Sequence, residues 1–215
     1  MEEKWPVATF ILITINLTVF LFSYDLFVNL VSEETIYKFG LSPEQLYIRP
    51  YLLVTHMFVH ADIIHFVGNM LMLAIVGLVT ETKIGTLKFI LFYLFSGFCV
   101  LPFAFLMEYL IGTVFILVGA SGAIFGVMFL AAAISGGEEV PAILIPILNV
   151  IAIPYIIFSL KNIKVPLYIA IVFYFLLNLL MMFYNLPYSI GEVAHFGGIF
   201  GGIVGFSLFT GKVKQ

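Results

Sequence analysis

The chain consists largely of apolar runs that are each about as long as a lipid bilayer is thick. A helix needs about 20 apolar residues to cross the hydrocarbon core, and 63% of the 215 residues are hydrophobic whereas only 10% are charged. A soluble domain of this length does not need so much apolar surface. We therefore predict an all-α, multi-pass membrane protein that forms a single domain over residues 1–215. The six predicted spans are Pro6–Leu30, Ile64–Thr80, Thr86–Leu110, Val114–Ser135, Val165–Tyr184 and Gly191–Thr210.

A further apolar run, Val140–Leu160, contains three prolines and an asparagine. Proline interrupts the helical hydrogen-bond ladder, and freed backbone groups are tolerated at membrane depth only where protein or water covers them. We expect a broken, re-entrant or surface-lying segment here rather than a seventh span.

The positions of lysine and arginine favour six spans. With a cytoplasmic N-terminus, seven of the nine basic residues fall inside and only Lys38 and Arg49 fall outside, as the positive-inside rule requires. The C-terminus is then cytoplasmic too, and His195 lies at the same membrane face as Ser121. Because residues 1–4 are not the basic start of a signal peptide, we expect the first span to remain as an anchor, in the plasma membrane.

Charge and composition exclude several classes of function. A net charge of -3 gives no reason to expect nucleic acid, and the single cysteine, Cys99, cannot form an intramolecular disulfide. Asp25 and Asp62 are the only aspartates, and Asp25 lies at the end of the first span. A membrane protease that uses paired aspartates is therefore excluded, and no cofactor is predicted.

The connection between the first two spans, Val31–Thr55, is the longest hydrophilic stretch. It contains the aromatic residues Tyr37, Phe39, Tyr47 and Tyr51. Aromatic side chains are enriched at membrane–water interfaces. The composition fits an element that lies in the interface and an ordinary loop equally well.

Ser121 is the candidate nucleophile. It stands among the small residues Gly119, Ala120 and Gly122, and polar groups in membrane helices are costly unless they face a polar cavity. If a helix begins near Ser121, its unpaired backbone N–H groups can stabilise an oxyanion. Small residues also serve simply to pack membrane helices together, so this motif alone favours packing.

His195 is the candidate general base. A neutral imidazole can take the serine proton and return it to a leaving amine. Gly198 and Gly202 follow three and seven residues later and give the helix a smooth face for close packing. The alternative role for His195 is a hydrogen bond between helices.

His65 and Asn69 are candidate oxyanion donors, because residues four apart share one face of a helix. Their alternative role is hydrogen bonding to a neighbouring loop. A metal site at His56, His60, Asp62 and His65 is the rival interpretation. His-Glu-x-x-His is absent, and no acidic residue stands between His56 and His60 to act as a base. We therefore predict no metal, and hydrogen-bonded structural roles for His56 and His60.

Glu81 is predicted to have a structural role near the inner end of the second span. It could cap neighbouring backbone groups or pair with Lys83 or Lys88.

Taken together, these motifs resemble the rhomboid family of intramembrane serine proteases over nearly the whole chain. Residues 119–122 are similar to the family's GxSG motif, and His65–Asn69 to its HxxxN pair. Gly77–Gly85 is similar to the GxxxExxxG helix end, and Ala194–Gly202 to the AHxxGxxxG base helix. Each motif is weak alone, but four in the family's order are specific.

The resemblance implies a six-helix fold and a Ser121–His195 dyad without a third acid. It also implies an oxyanion hole formed by the Ser121 N–H, His65 and Asn69, and an aromatic residue, Phe125, packed on the base. The implied substrates are transmembrane helices of single-pass proteins, cut near the outer face. A regular helix hides its carbonyls in hydrogen bonds, so the substrate must unwind first.

The sequence departs from the family pattern in two places. Leu52 occupies a position where members often carry arginine, and Arg49 lies three residues earlier. In addition, 73 residues lie between Ser121 and His195. We attribute the excess over a compact member to Val140–Leu160, beside the fifth helix, which the family uses as a lateral gate.

Two other functions compete with the protease. One is a catalytically inactive rhomboid-like protein that binds membrane helices, which the presence of Ser121, His195, His65 and Asn69 argues against. The other is a small transporter or channel, which would need charged or paired acidic residues across several spans, and few lie at mid-depth. The sequence carries no signal of oligomeric state.

Overall fold

The computed structural model describes residues 5–112, 115–141, 164–184 and 190–210, and these are mostly helical. The helices are α1 (Val7–Ser23), α2 (Glu33–Phe39), α3 (Leu52–Thr55), α4 (Ile63–Ile84), α5 (Thr86–Phe98), α6 (Val100–Ile111), α7 (Ser121–Ile134), α8 (Leu167–Tyr184) and α9 (Ile190–Phe209). Short 3-10 helices lie at Pro43–Gln45 and His56–Phe58. Two antiparallel strand pairs join β1 (Tyr24–Asp25) to β2 (Leu30–Val31) and β3 (Glu139–Pro141) to β4 (Lys164–Pro166).

Two described stretches are long and apolar enough to cross a membrane, Ile63–Ile84 and Thr86–Leu110. The second consists of α5 and α6, which meet at Cys99. Shorter apolar helices lie at Val7–Ser23, Ser121–Ile134, Leu167–Leu176 and Ala194–Phe209. A helical bundle of membrane type is thus present, whereas six full spans remain a prediction. The run Val140–Leu160 lies outside the described residues except for its first two, which belong to β3.

The first predicted span is too long by several residues. α1 ends at Ser23, and the chain turns through a hairpin instead of continuing as a helix to Leu30. The carboxylate of Asp25 accepts hydrogen bonds from the backbone N–H groups of Phe27, at 2.8 Å, and Val28, at 3.4 Å. An aspartate that binds the backbone just ahead of it favours a turn over a helix.

The helix in the fourth predicted span is also shorter than the span, because α7 begins only at Ser121. Before it, Leu117 forms an isolated β-bridge with Leu41, in the connection between α1 and α4. Gly119 then adopts a φ of +115°, a conformation that L residues rarely tolerate and that stops a helix from extending backwards.

α7 is the central helix of the bundle. It packs against α4, α5, α8 and α9, and most of its residues are buried. Apolar surface gains little by leaving lipid, so membrane helices associate through close contacts between small residues. A Cβ on Gly126 would lie 2.9 Å from the Gly198 carbonyl oxygen, and one on Gly202 would lie 2.9 Å from the Gly126 carbonyl oxygen. The backbones of α7 and α9 are therefore in direct contact.

Glu81 joins α4 to the beginning of α1. Its buried carboxylate accepts hydrogen bonds from the backbone N–H groups of Ala8 and Thr9, each at 2.8 Å. The hydroxyls of Thr9 and Thr86 donate to it as well, at 2.8 and 2.7 Å. The first N–H groups of a helix have no partner within that helix, and the positive end of the helix dipole favours a negative charge. Glu81 thus caps α1 from another helix.

Lys83 does not pair with Glu81 but binds the C-terminal end of α7. Its ammonium group donates to the carbonyl oxygen of Ile134, at 2.9 Å, and forms an ion pair with Glu138, at 2.8 Å. A cation at a helix C-terminus binds the unpaired carbonyls found there.

The connection between α1 and α4 is folded into short helices and turns. Arg49 lies over the ring of Tyr37, at 5.2 Å from its centroid, and donates to the Gln45 side chain at 3.1 Å. Leu52 is fully buried in a small apolar cluster that includes Leu41. The position at which the sequence departs from the family pattern is therefore filled by apolar packing.

Candidate active site

Ser121 is the first residue of α7. The two residues before it form hydrogen bonds with the segment that precedes α4. The backbone N–H of Gly119 donates to the carbonyl oxygen of His56 at 2.8 Å. The backbone N–H of Ala120 donates to Nε2 of His60, with a longer separation of 3.4 Å. These contacts position the N-terminus of α7, whose N–H groups point away from the helix.

His56 and His60 are buried parts of this scaffold. Nδ1 of His56 donates to the Leu52 carbonyl oxygen at 2.8 Å. Removal from water lowers the pKa of His56 to about 4, and burial together with nearby His65 lowers the pKa of His60 to about 3. Both rings are therefore neutral near pH 7, and a neutral His60 can accept the N–H of Ala120.

His65 and Asn69 project from the first two turns of α4. Asp62 caps this helix, since its carboxylate accepts the backbone N–H of His65 at 2.8 Å. The Asn69 side-chain amide donates one N–H to the His65 carbonyl oxygen at 2.9 Å, and an amide carries a second N–H. A Cβ on Gly119 would lie only 2.6 Å from Nε2 of His65. Only glycine lets the imidazole approach the residues just before Ser121 so closely.

His195, on the first turns of α9, is stacked on Phe125 of α7. The two ring centroids lie 4.0 Å apart with an angle of 8° between the planes. Phe125 is also 5.5 Å from the rings of Tyr174 and Phe175 on α8. This aromatic contact covers one face of the imidazole of His195.

One cavity of about 170 Å³ is lined by the polar side chains that the sequence analysis proposed as site residues. Ser121, His195, His65 and Asn69 all line it, although they come from three different helices. The remaining wall is mostly apolar and consists of Ile64, Gly68, Met72, Ile124, Phe125 and Tyr174. A small apolar cavity with a few convergent polar groups is typical of a site that binds and orients a ligand.

The small residues beside these groups set the distance between α7 and α9. A Cβ on Gly122 would overlap Val100 of α6, and one on Gly198 would overlap the backbone of Gly122. Glycine at 198 therefore allows the helix of His195 to lie directly on the helix of Ser121, and glycine at 122 allows α6 to approach α7. Among the residues that the structure describes, no group of three or more His, Cys, Asp or Glu side chains could hold a metal ion.

Tyr174 lines the same cavity, and the sequence motifs do not point to it. It lies on α8 and belongs to no recognisable pattern. The only signal available in the sequence is a hydroxyl group within the apolar run Val165–Tyr184, which an interfacial or core tyrosine would give as well.

Comparison with known proteins agrees with this architecture. The family model described as Rhomboid domain matches residues 47–211. RHOMBOID-like protein 7 of Arabidopsis thaliana is 30% identical over 159 residues, which cover 73% of this chain and 42% of that protein. RHOMBOID-like protein 6, mitochondrial, of the same plant is 42% identical over 78 residues, or 35% of this chain and 24% of that protein.

The chain thus spans less than half the length of the curated relatives it matches. The family match nevertheless extends over α4 to α9, and so includes every residue that lines the cavity. The resemblance read from the four sequence motifs is confirmed: this chain belongs to the rhomboid family of membrane proteins.

Proposed function

We propose that this protein is an intramembrane serine endopeptidase that cleaves transmembrane helices of single-pass membrane proteins. One observation carries the proposal: Ser121, His195, His65 and Asn69 line a single cavity of about 170 Å³. An inactive, helix-binding member of the family would need none of these four groups to converge.

In the proposed mechanism, Ser121 attacks the scissile carbonyl carbon through its Oγ while His195 takes the hydroxyl proton. The tetrahedral oxyanion receives hydrogen bonds from the backbone N–H of Ser121 and from the side chains of His65 and Asn69. His195 then gives its proton to the leaving amine, which departs and leaves an ester on Ser121. A water molecule, deprotonated by His195, hydrolyses this ester and restores the serine hydroxyl.

Two features of the surroundings support these roles. Ser121 opens α7, so its own N–H has no partner within the helix and can point at an oxyanion. The ring of Phe125 stacks on His195 and covers one face of the proposed base. No acidic side chain lines the cavity among the described residues.

The proposed substrate class follows from where the cavity lies. It is enclosed by membrane-type helices and is too small for an intact helix, which is about 10–12 Å wide with its side chains. A substrate must therefore present an unwound, extended segment to Ser121. The remainder of its transmembrane helix can stay in the bilayer.

We also propose six spans, with both termini on the cytoplasmic side of the plasma membrane. The shared direction of α4, α7 and α9 supports the order of the spans, because all three begin at the end of the bundle that carries the cavity. The second, fourth and sixth spans of a six-span chain run in one direction. Cysteines placed singly at positions 38 and 88 in a Cys99→Ser background would react with an impermeant maleimide only at position 38 in intact cells.

The decisive experiment is labelling with a fluorophosphonate, which reacts with activated serines. The purified protein is expected to be labelled and to cleave a single-pass helix reconstituted with it. Ser121→Ala should abolish both activities, and His195→Ala should reduce labelling by at least about a hundredfold, since general-base assistance contributes about 10²–10⁴-fold.

Labelling that persists in Ser121→Ala would place the reactive serine elsewhere. If the wild-type protein is neither labelled nor able to cleave any membrane helix, while still binding such helices, it is an inactive helix-binding member of the family. Circular dichroism and thermal melting of each variant serve as controls for folding.

A further inference from the structure

Two rows of residues on α4 line the candidate active-site cavity. The polar row consists of His65 and Asn69, the proposed oxyanion donors. The apolar row beside it consists of Ile64, Gly68 and Met72, which also follow one another at intervals of four and therefore share one face of the helix. Gly68 thus lies between two large apolar side chains, one turn before it and one turn after it.

The space that Gly68 leaves is not filled by the protein. A Cβ on Gly68 would meet nothing within 4 Å beyond its chain neighbours and the backbone of its own helix, whereas one on Gly122 or Gly198 would overlap a neighbouring helix. Glycine is among the least favourable residues within a helix, and here no packing contact requires it. Among the described residues that line the cavity, Gly68 is the only glycine. The space beside it therefore belongs to the cavity.

This space lies about one helical turn deeper in the bundle than the nucleophile. His65 marks the level of Ser121, because a Cβ on Gly119 would lie 2.6 Å from its Nε2 atom. Gly68 is three residues further into α4 than His65, and Ile124 is three residues further into α7 than Ser121. Three residues of helix rise about 5 Å. A group held at Ser121 must extend by about that length to reach the space.

We call this part of the cavity the Gly68 pocket, bounded by Ile64, Gly68, Met72 and Ile124. Its inner boundary is closed and apolar, since Met72 and Ile124 are only 3% and 1% exposed. Ile64, at the outer end of the row, is 48% exposed. A hydrocarbon side chain gains free energy on entering such a pocket, whereas a charged side chain would give up its hydration.

We propose that Gly68 is a specificity-determining residue, and that the Gly68 pocket binds the side chain of the substrate residue whose carbonyl Ser121 attacks. The carbonyl oxygen and the side chain belong to the same residue. A carbonyl held by His65 and Asn69 therefore brings that side chain to the neighbouring row of α4. An apolar side chain of the size of leucine reaches the pocket, and that of alanine does not. This inference rests on the proposed protease function.

Cleavage of two single-pass substrates that differ only at this position, with alanine or leucine, tests the proposal. The wild-type protein should cleave the leucine substrate with a kcat/KM at least about tenfold higher, because one methylene in an apolar pocket changes this constant about 10–200-fold. Gly68→Leu should remove the preference, and Gly68→Ala should reduce it. Val67→Leu is the matched control and should keep it, because Val67 is 42% exposed and does not line the cavity.

Three results would overturn the proposal. The first is an unchanged preference in Gly68→Leu, and the second is an equal loss of preference in Val67→Leu. The third is cleavage of both substrates reduced to the same extent in Gly68→Ala and Gly68→Leu. A wild-type protein that reacts with the fluorophosphonate but does not distinguish the substrates refutes only the role of Gly68. One that neither reacts nor cleaves refutes the proposed protease and this inference with it.

Peptide aldehydes give a second measurement that needs no turnover of a membrane helix. The Oγ of Ser121 adds to the aldehyde carbon, and the serine proton ends on the new hydroxyl of a reversible hemiacetal. A tripeptide aldehyde ending in leucinal should slow fluorophosphonate labelling of the wild type at a concentration at least about tenfold lower than one ending in alaninal. In Gly68→Leu the two should be equally effective. A leucinal advantage that persists in Gly68→Leu would contradict the proposal.

Discussion

From the contact between α7 and α9 we predict that a side chain added at Gly198 reduces the reactivity of Ser121. This glycine lies one turn after His195, and its missing side chain is what lets α9 lie on the backbone of Gly122. Gly198→Ala adds one methyl group that would overlap the Gly122 carbonyl. Gly198 lies within α9 and Gly122 is the second residue of α7, so relief of the overlap requires the two helices to move apart.

The size of the effect follows from that displacement. Overpacking of a tight interior contact costs about 1–3 kcal/mol, which for a chain of this length corresponds to a fall of about 2–12 °C in Tm. Relief of the overlap needs a shift on the order of 1 Å between His195 and Ser121. A misplacement of about 1 Å can reduce a reaction rate about 10²-fold. The loss of reactivity should therefore be far larger than the loss of stability suggests.

The assay compares fluorophosphonate labelling rates and melting temperatures in the same detergent. The matched control is Gly191→Ala on the same helix, where an added Cβ would meet nothing within 4 Å. It should label and melt like the wild type. If Gly198→Ala labels within threefold of the wild type, direct backbone contact between α7 and α9 does not hold the dyad, and the reasoning is refuted.

Three further outcomes are expected. Glu81→Ala leaves two N–H groups of α1 without an acceptor, and each loss destabilises the fold by about 1–3 kcal/mol. The Tm should therefore fall by at least about 5 °C, whereas the control Glu33→Ala, on the exposed α2, should leave the Tm unchanged. The contribution of His56 and His60 to stability should be present above about pH 6.5 and should be lost as the pH falls towards 4. Burial lowers their pKa values to about 4 and 3, so over this range the unfolded chain binds protons that the folded chain does not. An identical Tm at pH 7 and pH 5 would contradict this. Phe125→Ala removes a stack worth about 0.5–1.5 kcal/mol and should slow labelling about 2–10-fold, and an unchanged rate would show that the base is oriented by other contacts.

Local rules explain which features the sequence could predict. Each main helix overlaps a span that hydropathy over about 20 residues predicted, because a helix in lipid must satisfy its own backbone and cover it with apolar side chains. The four-residue spacing of His65 and Asn69 placed both side chains on one face of α4. The family resemblance, read from four such local motifs, is confirmed.

Helix ends were predicted less well, because they depend on contacts from elsewhere. The hydrophobic run of the first span continues to Leu30, yet the turn at Asp25 ends α1 early. The apolar residues ahead of Ser121 were predicted to be part of a helix, but Leu117 forms a β-bridge with Leu41 in the connection between α1 and α4.

By itself, then, the sequence determined the class of the protein and the chemical groups available to it, because hydrophobicity and motif spacing act within single helices. Only the tertiary structure decided that Ser121, His195, His65 and Asn69 share one cavity, and that Glu81 caps a helix 72 residues away. These outcomes depend on how closely helices remote in the chain approach one another. That distance is set by the glycine contacts between α7 and α9, which hydropathy does not encode.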